Sequence, residues 1–249
     1  MNFKDYTIDK FLYELKTDLS SPGGGSTAAL VSALAGALNN MVYSFTVDKK
    51  AFEKLDDKNK EKMLVLKEKC EEFISKSITY MEADRDTFTA LMDTFKLPKD
   101  TDEEKKYRSK TIKEKTIAAM ESPLNLAKDS LEFYDNIDFA IEFGNKNLTS
   151  DAIVAAILLH SAIESSIVNV FVNYNSLSSN EGYEDIPEIC REIIFDSRKI
   201  AVTIESFSER PREELLKQLA LYVDVVTISD PLFELTEKKS NSTKVMAEY

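Results

Sequence analysis

The sequence predicts an all-α protein, a single-domain bundle of long antiparallel helices around two buried apolar helices. Apolar residues recur every three or four positions over most of the 249 residues, and no convincing run alternates as a β-strand would. Two stretches are apolar on almost every side, which is typical of buried helices. We expect one helical domain over residues 1–203. A C-terminal helical extension with a flexible tail should follow over 204–249.

The first buried helix follows a glycine-rich break. Thr7 is expected to cap a short helix before it. Pro22 and Gly23–Gly25 then interrupt the chain with half of its six glycines. Ser26 should begin the buried helix, which runs to about Val47 and repeats small residues on successive turns, so neighbouring helices can approach closely.

A long amphipathic helix is expected over about 57–95, followed by a polar turn at 97–104. The next helical stretch should reach Phe143, be perturbed by Pro123, and end at Gly144 in a left-handed cap.

The second buried helix should be capped by Thr149 or Ser150 and reach about Asn173. After a loop, Pro187 and Pro211 suit the first turns of two further helices.

Composition and charge argue against several classes of binding site. The net charge is −12 with scattered basic residues, so we expect no nucleic-acid partner. Cys70 and Cys190 form no metal-binding pair and there is one histidine, so we expect no metal site and reduced thiols in a cytoplasmic protein. The apolar runs 28–38 and 152–172 are interrupted by polar residues, so no membrane span is expected.

Asp84 falls on the apolar stripe of the long helix, where a carboxylate is costly unless something binds it. Two interpretations stay open. Asp84 pairs with a cation or caps a neighbouring helix end, or it is a catalytic acid or base with a shifted pKa.

One face of the second buried helix is polar. At about 100° per residue, Asp151 and Asn169 project almost together, with Asn173, Ser165 and Ser166 nearby. The face either hydrogen-bonds other helices or binds a heterocyclic ligand through its amides. Asp151 also suits the positive end of the helix dipole. His160 points elsewhere and is expected to be a satisfied core or interface histidine.

The stretch Gly23–Gly25 with Ser26 admits two interpretations as well. Backbone N–H groups at a helix start form an anion site, and glycine also permits a tight turn packed against another backbone.

Several segments, in this order and spacing, resemble the folate-dependent formimidoyltetrahydrofolate cyclodeaminase and methenyltetrahydrofolate cyclohydrolase family: S-P-G-G-G-S-T-A-A-L, F-T-V-D-K-K, E-F-G-N-K-N-L-T-S-D-A and V-N-V-F-V-N-Y-N-S-L. The resemblance implies an all-helical subunit that dimerises, with a folate site in a groove between subunits. This sequence departs from the family pattern at Asp48, where many members have glycine.

The resemblance also implies roles for residues at the matching positions. Asp84 and Asp151 would be catalytic, and the substrate-binding residues would be Pro22, Gly23, Gly24, Gly25, Ser26, Lys49, Lys50, Asn145, Asn169 and Asn173. Gly23–Gly25 with Lys49 or Lys50 would take the glutamate tail of a tetrahydrofolate derivative, possibly polyglutamylated.

The expected reaction is cyclodeamination of 5-formimidoyltetrahydrofolate to 5,10-methenyltetrahydrofolate and ammonia, without a further cofactor. Hydrolysis of the methenyl compound to 10-formyltetrahydrofolate is the first alternative. A non-catalytic folate binder or helical interaction protein is the second.

Overall fold

The computed structural model describes residues 2–177, 179–180 and 182–205, and within these ranges it contains helices and connections but no strand. The all-α prediction is confirmed. The α-helices are α1 (Ile8–Leu15), α2 (Gly24–Ser44), α3 (Lys50–Glu53), α4 (Asp57–Thr94), α5 (Asp102–Glu132), α6 (Tyr134–Phe143), α7 (Thr149–Ser176) and α8 (Ile186–Glu205). Pro211 and most of the 204–249 extension lie outside the described residues.

Four long helices form the bundle. α2 and α5 each pack against both α4 and α7, and helices that are neighbours run antiparallel. In the centre, Ser32 on α2 lies 3.2 Å from Ser77 on α4 and 3.1 Å from Ser130 on α5, oxygen to oxygen. One turn along, a Cβ on Gly36 would lie 2.9 Å from the Phe73 ring, so the small residues of α2 do allow close approach.

The α2 and α7 helices supply much of the core, as predicted, yet neither is covered on every side. Leu34 on α2 and Val172 on α7 are about half exposed. By length and composition alone, the segment Lys146–Ser176 is long and apolar enough to cross a membrane. In the bundle, 44% of its most apolar window is buried.

Two predicted helix ends are confirmed. Thr7 caps α1 by accepting a hydrogen bond from the Lys10 N–H at 3.1 Å. Pro187 is the second residue of α8, within its first turn.

Other boundaries were predicted wrongly. α2 begins at Gly24 rather than Ser26. Pro123 lies inside an unbroken α5, and the helical stretch divides at Phe133 instead. Leu148 precedes α7 without any side-chain cap, so neither Thr149 nor Ser150 has the predicted role.

Gly144 ends α6 in extended conformation, with φ −76°, so the predicted left-handed cap is also wrong. Its need for glycine is one of space. A Cβ there would lie 2.3 Å from the Ala140 carbonyl oxygen and 2.7 Å from Val42.

His160 is an interface histidine that docks α8 onto α7. Its Nδ1 lies 2.9 Å from the Ser197 hydroxyl and its Nε2 lies 3.4 Å from Glu164, which also binds Arg198. The His160 hydrogen bond, joined by Arg198, lowers the pKa of Glu164 to about 2.

Candidate functional site

The candidate site begins where Asp84 on α4 meets the first turn of α2. Asp84 Oδ2 accepts hydrogen bonds from the Ser26 N–H at 2.8 Å and the Ser26 hydroxyl at 2.7 Å. Gly23, the N-cap residue of α2, has no side chain to cap the helix, so a carboxylate from another helix satisfies one of the unpaired N–H groups. The expected helix cap is therefore present, and the anion at the glycine-rich helix start is the protein's own Asp84.

Gly25 makes this contact possible. A Cβ on Gly25 would lie 2.1 Å from Asp84 Oδ1 and 2.5 Å from its Cγ, well inside contact distance. A Cβ on the neighbouring Gly24 would lie 3.5 Å from Asn169 Oδ1, an ordinary contact. Of these two glycines, Gly25 has no room for a side chain, whereas Gly24 has room for a methyl group.

The pKa of Asp84 is raised from its usual value because burial disfavours the charged carboxylate, while the two hydrogen bonds from Ser26 act in the opposite direction. Both of those bonds go to Oδ2. Among the described residues, no donor is hydrogen-bonded to Oδ1, so this oxygen can take up or release a proton. The arrangement is that of a general acid or base that is held in place through one oxygen.

Two amides of α7 lie at the same end of the bundle as this carboxyl. Asn169 packs on Gly24, and its Nδ2 donates to the Ser165 carbonyl at 2.8 Å. One turn further, Asn173 Nδ2 donates to the Asn169 carbonyl at 3.0 Å and to the Ala119 carbonyl on α5 at 3.2 Å. In both side chains the amide nitrogen is fixed by backbone, so the carbonyl oxygen is oriented.

Pro123 explains the Asn173 contact. A proline has no N–H, so Pro123 leaves the carbonyl of Ala119, four residues earlier, without its helical donor. Asn173 reaches across from α7 and supplies that donor. Ser166, predicted on the same polar face, is buried instead and bonds back to the Ala162 carbonyl at 2.7 Å.

The structure does not bring all predicted site residues together within one chain. Pro22, Gly23, Gly24, Gly25, Ser26, Asp84, Asn169 and Asn173 lie at one end of the bundle. Lys49, Lys50, Asn145 and Asp151 lie at the other, since α2 and α7 are antiparallel. The 21 residues of α2 separate the two groups by roughly 30 Å. Gly23–Gly25 and Lys49 or Lys50 of one chain therefore do not meet at one site, and a tail held by both groups would need residues from two chains.

At the second end, Asn145 joins two loops. Its N–H donates to the Thr46 hydroxyl at 2.8 Å and its Nδ2 donates to the Phe45 carbonyl at 3.3 Å. Asp48 in the adjoining turn has φ +59°, a left-handed conformation that glycine adopts without cost. Asp48, where the sequence departs from the family pattern, thus occupies a position whose backbone conformation favours glycine.

No group of three His, Cys, Asp or Glu side chains among residues 2–177, 179–180 and 182–205 is arranged to hold a metal ion.

Residues 7–192 match the family described as formiminotransferase-cyclodeaminase. A methenyltetrahydrofolate cyclohydrolase of Methylorubrum extorquens is 34% identical over 180 residues, which are 72% of this chain and 84% of the relative. A formimidoyltransferase-cyclodeaminase of Rattus norvegicus is 29% identical over 71% of this chain, and the match spans 32% of that longer protein.

A solved structure shows the same fold. The crystal structure of a formiminotetrahydrofolate cyclodeaminase from Thermotoga maritima superposes with a TM-score of 0.70 and 22% identity, over 87% of this chain and 98% of the other. The extent of the family match, together with the identity to the bacterial relative, shows that this chain belongs to the formiminotransferase-cyclodeaminase family.

Proposed function

We propose that this chain is a folate one-carbon enzyme that acts on the carbon between N5 and N10 of a tetrahydrofolate derivative. The observation that carries the proposal is the Asp84 carboxyl, held at the start of α2 by Ser26 with a raised pKa. Asn169 and Asn173 lie at the same end of the bundle with their amide nitrogens fixed. Family membership supplies the substrate class.

In cyclodeamination, N10 attacks the formimino carbon on N5, and the tetrahedral adduct expels ammonia to give 5,10-methenyltetrahydrofolate. N10 must lose a proton and the departing nitrogen must gain one. Asp84 Oδ1 can carry this proton from one nitrogen to the other, since a raised pKa makes its carboxylate a stronger base than that of an ordinary aspartate. The oxygens of Asn169 and Asn173 would orient the pterin or the adduct. Proton transfer is the only chemistry that the protein must supply, so the proposal includes no metal or redox cofactor.

Hydrolysis is the second candidate, and one observation favours it. The Methylorubrum relative is named a methenyltetrahydrofolate cyclohydrolase, and this chain spans 84% of its length, whereas the chain spans about a third of the Rattus protein. In hydrolysis, Asp84 takes a proton from water as the water adds to the methenyl carbon. This proton then goes to N5 as the C–N5 bond breaks, and the remaining hydroxyl proton passes to solvent as the formyl carbonyl forms, which gives 10-formyltetrahydrofolate.

We also propose that the enzyme is a cytoplasmic homodimer. On α2, its C-cap Phe45 and α7, six apolar side chains are between about 40% and 55% exposed: Leu34, Phe45, Val154, Ile157, Val168 and Val172. Exposed apolar side chains in such number are typical of a protein interface, and a second copy would cover them. The two clusters of predicted site residues lie at the two ends of the same helix pair.

A two-fold axis perpendicular to α2 would set the α2 helices of the two copies antiparallel. The end that carries Lys49, Lys50, Asn145 and Asp151 in one copy would then adjoin the Asp84 end of the other. Each groove would gain two cations and a second carboxyl, Asp151, as a further acid or base.

The test uses two substrates and a matched pair of variants. We expect the purified protein either to convert 5-formimidoyltetrahydrofolate with release of ammonia or to consume 5,10-methenyltetrahydrofolate. The near-ultraviolet absorbance of 5,10-methenyltetrahydrofolate measures its consumption. Asp84→Asn should lower kcat by about 10²- to 10⁴-fold. Asp86→Asn is the matched control, because it removes the same charge two residues further along α4. The Asp86 side chain is exposed and pairs with Arg85, so this variant should retain activity.

Turnover of one folate and not the other decides between the two reactions. An active Asp84→Asn variant that retains near-full turnover would refute the role of Asp84. Folate binding without turnover of either substrate would support the non-catalytic binder instead.

A further inference from the structure

A basic cavity of about 360 Å³ lies beyond the Asp84 cluster, at the same end of the bundle. It is formed by the first turns of α5, the segment before them and the last turn of α7. Four cationic side chains line it, namely Lys99, Lys105, Arg108 and Lys113. None of the nine described residues that line the cavity is acidic, in a chain whose net charge is −12. Such a concentration of one charge sign in a concave surface favours an anionic ligand.

Arg108 is oriented by its surroundings. Its Nη2 lies 3.4 Å from the Phe95 carbonyl oxygen at the end of α4, and the guanidinium carbon lies 5.8 Å from the Phe95 ring centre. Its Nε is shielded from solvent and, among the described residues, has no hydrogen-bond acceptor. A shielded donor without an acceptor is costly, so an acceptor from a ligand would satisfy it.

The cavity adjoins the amide of Asn173. Thr116 lines the cavity and lies one helical turn before Ala119, whose carbonyl accepts from Asn173 Nδ2 at 3.2 Å. Ser176 also lines the cavity and lies one turn after Asn173 on α7. On α5 and on α7, a residue that lines the cavity therefore lies about one turn, roughly 5 Å along the helix axis, from Ala119 and from Asn173.

We propose that this basic cavity binds the glutamate carboxylates of the folate, an inference that rests on the proposed function. By ordinary bond lengths the tail carries its first carboxylates roughly 10 Å beyond the reacting N10. That is the direction in which the cavity extends from Asp84 past Asn173. A tail with several γ-linked glutamates is a row of carboxylates, and four cations suit it better than a single charge.

The proposal predicts a dependence on tail length. KM for a triglutamate substrate should be lower than for the monoglutamate, with similar kcat. Arg108→Gln and Lys113→Gln should each raise the triglutamate KM roughly 10-fold, the effect of one lost charge-assisted hydrogen bond. A substrate without glutamate should show little change. Lys110→Gln is the control, because Lys110 is on the same helix but pairs with Glu114 at 3.8 Å.

A binding measurement separates failure of this site from failure of the proposed function. p-Aminobenzoyl-triglutamate contains the tail without the pterin, and calorimetry should detect its binding to the wild-type protein and weaker binding to Arg108→Gln. If neither folate is turned over but this difference is found, the site stands and the reaction is wrong. If turnover is found and neither the fragment nor tail length depends on Arg108 or Lys113, the site is refuted.

Inorganic phosphate distinguishes a tail site from a site for a free anion. Phosphate should compete weakly with the fragment. If phosphate binds in an Arg108-dependent manner and the fragment does not bind, the cavity is a free-anion site and the assignment to the folate tail is wrong. If Lys49→Gln with Lys50→Gln raises the triglutamate KM and the cavity variants leave it unchanged, the tail is bound at the other cluster.

Discussion

The contact between Gly25 and Asp84 allows a sharp test of the candidate site. In Gly25→Ala, the new methyl group would lie 2.1 Å from Asp84 Oδ1 and 2.5 Å from Cγ. The carboxyl must move, because it is the end of a side chain on another helix while the methyl is fixed to the backbone of α2. When the carboxyl moves, its two hydrogen bonds with Ser26 at 2.8 and 2.7 Å are lost or stretched.

The expected loss of stability follows from those bonds. Hydrogen bonds to a charged group contribute about 1.5 kcal/mol or more each, so two give about 3 kcal/mol. Alanine recovers up to about 1 kcal/mol relative to glycine within a helix. The net decrease in unfolding free energy is about 2 kcal/mol, or a Tm lower by about 4–8 °C for a chain of this size.

Thermal unfolding and steady-state kinetics measure the two consequences. Displacement of a reacting group by about 1 Å costs on the order of 100-fold in rate, so kcat should fall with Tm. Gly24→Ala is the control, because its methyl would make only an ordinary contact with Asn169 at 3.5 Å. If Gly25→Ala matches Gly24→Ala in both Tm and kcat, the steric reasoning about Asp84 is refuted.

Three further predictions follow from the same structure. Asp48→Gly should raise the unfolding free energy by about 0.5–1 kcal/mol in urea titrations at unchanged m-value, because Asp48 has φ +59°; an unchanged or lower midpoint would contradict this. His160 holds the pKa of Glu164 at about 2, below its usual 4.5, so the stabilisation from Glu164 is complete above about pH 4.5 and is lost as the pH falls from there to about 2. His160→Gln should therefore lose less stability over that interval than wild type, and equal losses would argue against the coupling. Ser26→Ala removes a hydrogen bond that lowers the pKa of Asp84, so the acid limb of the pH–rate profile should move to higher pH. An acid limb that stays in place would show that Asp84 does not control it.

The importance of Asp84 could be predicted from the sequence because desolvation makes a carboxylate on an apolar stripe conspicuous at helical spacing. Its partner could not, because the approach of Ser26 depends on how α2 and α4 cross. The sequence singles out Pro123 as a helix breaker and Asn173 as part of a polar face, without joining them. Their connection through the Ala119 carbonyl depends on the register between α5 and α7, which periodicity does not determine.

The basic cavity could not be predicted from the sequence for a related reason. Its cations are interspersed with acids along the chain, and charge counted along the sequence averages them away. The helix geometry brings the four basic side chains to one concave surface. The neighbouring acid Asp102 is exposed, and its Oδ1 lies 3.1 Å from Lys105 Nζ.

The antiparallel direction of α2 and α7 has a consequence for mixtures of inactive proteins. Under the proposed pairing, every groove takes Asp84 from one copy and Asp151 from the other. A dimer formed from one Asp84→Asn copy and one Asp151→Asn copy therefore concentrates both defects in one groove and leaves the other intact. Random re-pairing of equal amounts would place half of the chains in such hybrids, so two inactive preparations would together regain about a quarter of wild-type activity.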